Sequence, residues 1–298
     1  MAAEHVPVMA LEIVELLRPR RGARLLDGTL GGGGHARILL DRIQPGGILV
    51  GLDRDLEAVQ RVRRELAGYG DALRAYCANF ADLCRVLDQE GLENVDGMLF
   101  DLGLSSLQLG DPERGFSFSH EGPLDMRYDR RQGPTAAELL SRLSEAELAD
   151  LLWRLAEERS SRRLARRIVE RRRRSPLRTT VELAQLAEGL VPRRRRGRHA
   201  AHPATRLFQA LRITVNRELD SLESLLECAP GRLAAGGRMA VICFHSLDDR
   251  LVKKRFRDLE RDGGFQRITR RPLRPGAEEC ARNPRSRSAR LRVLERVA

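Results

Sequence analysis

Leu25-Leu26-Asp27-Gly28-Thr29-Leu30-Gly31-Gly32-Gly33-Gly34-His35 runs from an apolar stretch through four consecutive glycines into a helical pattern. Ala23–Asp27 reads as a strand, Leu30–Gly34 as a tight turn, and His35–Ile43 as a helix opening directly behind it. Glycine lets backbone approach a ligand closely and turn through positive φ, while a helix start offers unpaired N–H groups. Together they make a seat for a polar or anionic part of a nucleotide-like cofactor. Gly31-x-Gly33-x-x-Ala36 also has the spelling of a dinucleotide fingerprint. A merely flexible loop is the plain alternative.

Outward from this stretch, short apolar strands alternate with helical segments. Gly47–Asp53 reads as a strand, Leu56–Leu66 as a helix, Ala72–Cys77 as a strand, Phe80–Leu87 as helical, and Val95–Leu102 as a strand. Such alternation predicts a parallel sheet with helices on both faces. Ligands of open parallel sheets sit beyond the carboxyl ends of the strands. Asp27, Asp53 and Asp101 all fall at such ends, so three carboxylates are expected on one rim. That rim suits a cationic cofactor such as a sulfonium better than a pyrophosphate. A divalent metal is another reading of three carboxylates. Asp53, about twenty residues past the glycines, is placed to accept both hydroxyls of a ribose. It could instead cap the next helix, a task Asp55 can also perform.

The middle of the chain changes period. Thr135-x-x-Glu138, Ser144-x-x-Glu147 and Thr179-x-x-Glu182 are capping-box patterns, each ahead of apolar residues at helical spacing. Arginine-rich joints, Arg171–Arg174 and Arg193–Arg196, are expected between these helices. Ala204–Leu226 reads as one long helix, Gly236-Gly237 as a turn, and Met239–Phe244 as a buried strand. Phe265–Ile268 and Leu291–Val297 follow as candidate strands. The expected architecture is α/β: residues 1–108 and 211–298 form one Rossmann-like domain, and residues 109–210 form an inserted, all-helical one.

The 298 residues are 42% hydrophobic, enough for a packed core. No apolar run approaches the ~20 residues of a membrane helix, and Glu4 interrupts any basic-then-apolar leader. No membrane partner is expected. The five scattered cysteines argue against a disulfide framework and a zinc site, and for a reducing, cytoplasmic setting. Charge is segregated: residues 1–108 carry 12 basic and 16 acidic groups, whereas residues 109–210 carry 22 and 14, and residues 211–298 carry 20 and 12. Apart from Lys253 and Lys254 every base is arginine, the residue suited to bidentate phosphate contacts. A polyanionic partner for the middle and C-terminal parts is expected; arginines solvated on helix faces would give the same totals.

Several motifs together resemble one family. They are His5-x-Pro7-Val8, Asp27–His35, Asp101-Leu102-Gly103-Leu104-Ser105-Ser106-x-Gln108, Glu113-Arg114-Gly115-Phe116-Ser117-Phe118 and Gly122-Pro123-Leu124-Asp125-Met126-Arg127. His202-Pro203-Ala204-Thr205-Arg206, Phe244-His245-Ser246-Leu247-Asp248-Asp249-Arg250 and Asn283-Pro284-Arg285-Ser286-Arg287-Ser288 continue the series. In this order they are similar to the RsmH (MraW) family, and they span almost the whole chain. The resemblance implies an S-adenosylmethionine-dependent methyltransferase acting on N4 of a cytidine in 16S rRNA, at the decoding centre of the small ribosomal subunit. It implies a methyltransferase-type α/β domain interrupted by a helical insert. Carried over by motif, cofactor contacts fall on Gly33, Gly34, His35, Asp53, Phe80, Asp101 and Gln108.

Cytosine N4 is a poor nucleophile because its lone pair is delocalised into the ring. An acceptor for its N–H would localise that pair, and Asp101 or a backbone carbonyl of Leu102–Ser105 is expected in that role. His35 is expected to act through its backbone at the helix start rather than as an acid or base. Phe80 could pack on adenine or in the core. Phe116, Phe118 and Phe244 could stack on the target base or pack inward, and His245 could touch substrate or stabilise a turn. Arg193, Arg194, Arg195 and Arg196 are expected on RNA phosphates. A non-catalytic RNA-binding factor, a DNA amino-methyltransferase and a dehydrogenase are the competing readings; the oligomeric state is not legible.

Overall fold

The computed structural model describes residues 7–190 and 202–297. The chain divides into two compact units, Met1–Ser105 with Leu219–Ala298, and Ser106–Glu218.

The first unit is built on a seven-stranded sheet. Its strands are β1 (Arg24–Asp27), β2 (Ile48–Asp53), β3 (Leu73–Cys77), β4 (Val95–Asp101), β5 (Leu233–Cys243), β6 (Phe265–Arg267) and β7 (Arg290–Arg296). The order is β3-β2-β1-β4-β5-β7-β6, parallel from β3 through β5, with β7 antiparallel to β5 and β6 antiparallel to β7. Strands buried on both faces read as near-continuous apolar runs, which is why residues 48–52 and 97–100 are so hydrophobic. Alternate residues serve opposite cores. Leu25, Leu49, Leu99, Ala240 and Ile242 face one, together with helices α1 (Ala10–Leu17), α2 (Gly34–Ile43) and α3 (Leu56–Glu65). Leu26, Val50, Met98, Phe100 and Val241 face the other, with α4 (Leu83–Gln89), α11 (Glu218–Cys228) and α12 (Ser246–Asp262). A short α13 (Ala277–Arg282) precedes β7.

β1 and β4 are neighbours, and the chain winds away from them in opposite senses. This is the point where an open parallel sheet leaves a crevice for a ligand. Gly28 follows β1 there, and packing dictates its identity: a Cβ would lie 2.3 Å from the ring of fully buried Phe100 and 3.3 Å from Phe80 Cβ. Gly28→Ala is therefore expected to destabilise the unit by about 1–3 kcal/mol through overpacking. An unchanged urea midpoint would contradict this.

The second unit is helical: α5 (Ser106–Gly110), α6 (Ala136–Arg142), α7 (Glu145–Ala156), α8 (Ser161–Arg174), α9 (Thr180–Glu188) and α10 (Pro203–Asn216). Thr135, Ser144 and Thr179 each form a complete capping box with Glu138, Glu147 and Glu182, as their spacing predicts.

Three local expectations are corrected. Arg171–Arg174 is no joint but the last turn of α8, where arginine complements the negative helix end; Arg172 there donates to the Leu140 and Leu143 carbonyls. The expected helix 204–226 breaks at Arg217, which adopts left-handed φ 49°. The preceding Asn216 explains the break: its Oδ1 accepts from Tyr128 N–H at 2.8 Å and its Nδ2 donates to the Met126 carbonyl at 2.7 Å. A side chain tied to another segment ends α10 where apolar periodicity alone would continue it. Gly236-Gly237 does not reverse the chain but bulges β5, shifting its register against β4 between Val95 and Gly97.

Candidate functional site

Register brings the carboxylates of the first unit together. Asp27 is level with Gly51 on one side and Leu99 on the other. Asp53 and Asp101 each lie two residues further along their own strands, flanking Asp27. The three expected rim carboxylates therefore end adjacent parallel strands.

The glycine turn is tied to this rim. Gly31 N–H donates to Asp53 Oδ2 at 2.8 Å, and Asp55 N–H donates to Asp53 Oδ1 at 2.8 Å. Asp55, not Asp53, caps α3, accepting from Glu57 N–H at 3.1 Å. Gly33 N–H donates to the Leu30 carbonyl at 2.7 Å. Gly33 itself is the N-cap of α2 at φ 79°, a conformation L-residues rarely adopt. The first turn of α2 thus opens at the carboxyl end of β1, with Gly34 packed on Pro7.

Thr29 joins β1 to β4. Its Oγ1 accepts from Asp101 N–H at 2.7 Å and contacts Asp27 Oδ1 at 3.4 Å, while its own N–H donates to Asp27 Oδ1 at 3.0 Å. Asp27 is fully buried and Asp101 is one-fifth exposed. Among the described residues, Asp27 Oδ2 and Asp101 Oδ1 are buried without a hydrogen-bond partner. Burial pushes the Asp27 carboxyl up to about 7, against the bonds from Thr29 and with help from the Asp53 charge. Burial, then the charges of Asp27 and Glu279, push Asp101 up to about 8. Carboxylate oxygens buried without a match are costly unless something cationic or hydrogen-donating meets them. The site therefore suits a positively charged ligand.

His35, on α2, is buried; Nε2 lies 2.9 Å from the Val8 carbonyl and Nδ1 lies 3.7 Å from Asp101 Oδ2. Phe80 follows β3, half-buried, with its ring edge-on to Phe100 at 6.2 Å. Phe244, also half-buried, stands at the end of β5, and a Cβ on Gly103 would lie 3.6 Å from its ring. His245 holds the N-cap position of α12.

The remaining residues belong to the second unit. Gln108 is buried in α5, within the second unit. Phe118 is in the second unit too, its ring 4.6 Å from His202 and 5.0 Å from Phe208. Phe116 corrects the expectation of base stacking. It is 5% exposed, stacked on Tyr128 at 5.5 Å with Arg114 6.0 Å from its ring, so it takes the packing role. Arg193–Arg196 lie outside the described residues.

Two site residues had no signal in the sequence. Thr29 sits inside the glycine motif, but nothing in spacing reveals that it bridges two strands. Glu279, from α13, accepts from Met9 N–H at 2.8 Å and adds negative charge facing Asp101. Only tertiary packing brings that segment to the rim.

The MraW methylase family matches residues 2–297. A "Ribosomal RNA small subunit methyltransferase H" of Trichlorobacter lovleyi is 45% identical over 98% of this chain and 98% of its own. One of the same name from Cyanothece sp. is 48% identical, covering 98% and 95%. Among solved structures, an rRNA methylase from Streptococcus thermophilus aligns with a TM-score of 0.42 at 12% identity, over 100% of this chain and 99% of that one. With nearly every residue matched and close to half identical across full-length relatives, the chain belongs to the MraW methylase family.

Proposed function

We propose that this protein transfers a methyl group from S-adenosylmethionine to 16S rRNA of the small ribosomal subunit in the cytoplasm, at N4 of a cytidine in the decoding centre. The observation that carries the reading is the pair of unmatched carboxylate oxygens on Asp27 and Asp101 beside the glycine turn. When bound, the cofactor supplies a methyl group activated on a cationic sulfonium. The residues present fit it. Backbone at Gly33, Gly34 and His35 receives its polar end, Asp53 its ribose, and Phe80 its base. Asp101 is a further contact, and the family's motif implies Gln108 as another.

Asp101 accepts a hydrogen bond from the substrate amino group, which localises the nitrogen lone pair for attack. Transfer requires donor carbon and acceptor nitrogen at a near-attack separation of ~3–3.5 Å, and the rim residues would have to hold the two groups so. Phe244, His245 and Phe118 contact the extruded nucleotide. The helical insert, residues 109–210, is the RNA-recognition part, and its arginines meet phosphates without reading bases.

Replacing Arg193–Arg196 with glutamine is expected to weaken RNA binding and flatten its salt dependence. At ~0.7 counterions per phosphate on single strands, the log–log slope falls by about three. Cofactor affinity stays unchanged. A filter-binding series over salt concentration measures both, and an unaltered slope removes these arginines from the interface. The function itself is tested by mass-spectrometric mapping of methylated nucleosides after reaction with hypomethylated small subunits. A methyl group on any other atom, or none, overturns it.

A further inference from the structure

α12 leaves the sheet at the rim: Ile242 of β5 pairs with Asp101, and the helix opens four residues later at Ser246. Its apolar face, with Val252, Phe256 and Leu259, is buried in one core of the first unit. Its carboxylates help to hold it there. Asp249 Oδ1 accepts from Arg292 Nε at 2.6 Å, and Glu260 Oε2 accepts from Arg267 Nε at 2.7 Å, which ties the helix to β7 and β6. The outward face is of one sign. At about 100° per residue, Arg250, Lys253, Lys254, Arg257 and Arg261 fall within an arc of roughly 100° and a length of about 16 Å. All five are exposed, and no carboxylate of the helix shares their arc. Lys253 and Lys254 are the only lysines of the chain. Among the described residues neither is in an ion pair. Arg261 reaches Asp258 at 3.5 Å and Asp262 at 3.2 Å, and Arg257 reaches Asp258 at 3.9 Å, from the edges of the arc. Pairs involving arginines this exposed contribute little and yield readily to a polyanion.

We propose that this face of α12 is an RNA-binding surface of the methyltransferase unit itself, a phosphate track along which the strand carrying the target nucleotide runs from the rim. The inference rests on the function proposed above. A protein interface gathers apolar and aromatic residues at its centre, whereas the only uncharged member of this arc is Ser246. A helix lying on a membrane sinks its apolar side into lipid, whereas that side of α12 is spent on the core. What the face offers is a straight row of cations, which the evenly spaced charges of a nucleic-acid backbone match. Lysine is a point charge on a flexible stem and imposes no bidentate geometry. Such contacts hold a strand in place without reading its bases. The bonds from Arg292 and Arg267 keep the row fixed relative to the sheet, so a strand gripped there is held at a set distance from the rim.

The test is a triple variant, Lys253→Gln with Lys254→Gln and Arg257→Gln, at three exposed positions. Its affinity for hypomethylated small subunits and for naked 16S rRNA is expected to fall ~10-fold or more at about 0.1 M salt, and the log–log salt slope to fall by about two, from ~0.7 counterions per phosphate. S-adenosylhomocysteine affinity is expected to stay within about threefold, which also shows the variant folded. The rate of methylation at saturating subunits is expected to be unchanged, so the loss appears in the concentration of subunits required. Arg20→Gln with Arg21→Gln and Arg64→Gln removes equal charge from the amino end of β1 and from α3, and is expected to leave the slope as it was. Lys253→Arg with Lys254→Arg, which keeps the charge, is expected to bind as the wild type does. A wild-type slope in the triple variant overturns the inference. So does an equal fall in the Arg20, Arg21 and Arg64 variant, which makes the effect one of net charge. Weaker binding to intact subunits with unchanged binding to naked rRNA also overturns it, and assigns the face to an acidic ribosomal protein. A wild-type protein that neither binds nor methylates subunits overturns the proposed function and this inference with it, whereas an active protein indifferent to the α12 substitutions overturns this inference alone.

Discussion

Asp101→Asn is expected to slow single-turnover methyl transfer by ~10²–10⁴-fold, the range set by loss of a positioned proton acceptor, while the protein stays folded. The substitution is nearly isosteric. The Asp101 backbone still donates to Thr29 Oγ1 at 2.7 Å, and its strand pairing with Ile242 does not involve the side chain. What is lost is the carboxylate: an amide can accept one hydrogen bond from the substrate amino group but cannot take its proton. The charge facing a sulfonium also disappears, so affinity for the cationic cofactor is expected to fall more than affinity for its neutral demethylated product. Quench-flow with hypomethylated subunits and titration of both compounds measure these effects. An unchanged rate would remove the carboxylate from the mechanism.

The same two buried acids should make both stability and ligand affinity depend on pH, in opposite directions. Their ordinary value is 3.8, raised to about 7 for Asp27 and about 8 for Asp101. Below pH ~4 both folded and unfolded chains hold these protons, so no difference arises. As pH rises past ~4 the unfolded chain ionises and gains, whereas the folded protein keeps its protons until about 7 and 8. Folding stability therefore declines through that window and levels off above it. Asp27→Asn should flatten the decline and leave the protein more stable than wild type at pH 9, at the expense of cofactor binding. A cationic ligand prefers the ionised acids, so its binding expels protons and its affinity rises with pH, by up to ~10-fold per unit for each coupled carboxylate. Urea denaturation from pH 4 to 9, with calorimetry in buffers of different ionisation enthalpy, reads both trends. A stability curve flat across the window would show that these carboxyls are not raised. Affinity equal at pH 6 and pH 9 would place the ligand away from them.

The parallel part of the sheet was legible because β1, β2 and β4 are apolar runs closed by an aspartate, and the intervening helices carry apolar residues at 3.6 spacing. The three capping boxes were legible because that motif is entirely local. The end of α10 was not, since Asn216 stops the helix by bonding Met126 and Tyr128, residues almost ninety positions earlier. Phe116 and Phe118 illustrate the same limit. Within one motif both are aromatic and flanked by polar residues, yet Phe116 is sealed against Tyr128 and Arg114 while Phe118 packs on His202 and Phe208. Apart from Arg114 these partners lie outside the motif, so no periodicity announces them.

Residue order alone determined the alternation of strand and helix, the glycine turn after β1, and the placing of Asp27, Asp53 and Asp101 at strand ends, because those features depend on neighbours within a turn or a strand. It also sufficed to recognise the family, whose motifs recur along the full length. Only the folded chain decided that these acids share one rim in register, that among the described residues Asp27 Oδ2 and Asp101 Oδ1 find no hydrogen-bond partner, and that His35 is buried with Nε2 against the Val8 carbonyl. Burial and long-range pairing set the energy of a carboxylate, and both are properties of what packs around it.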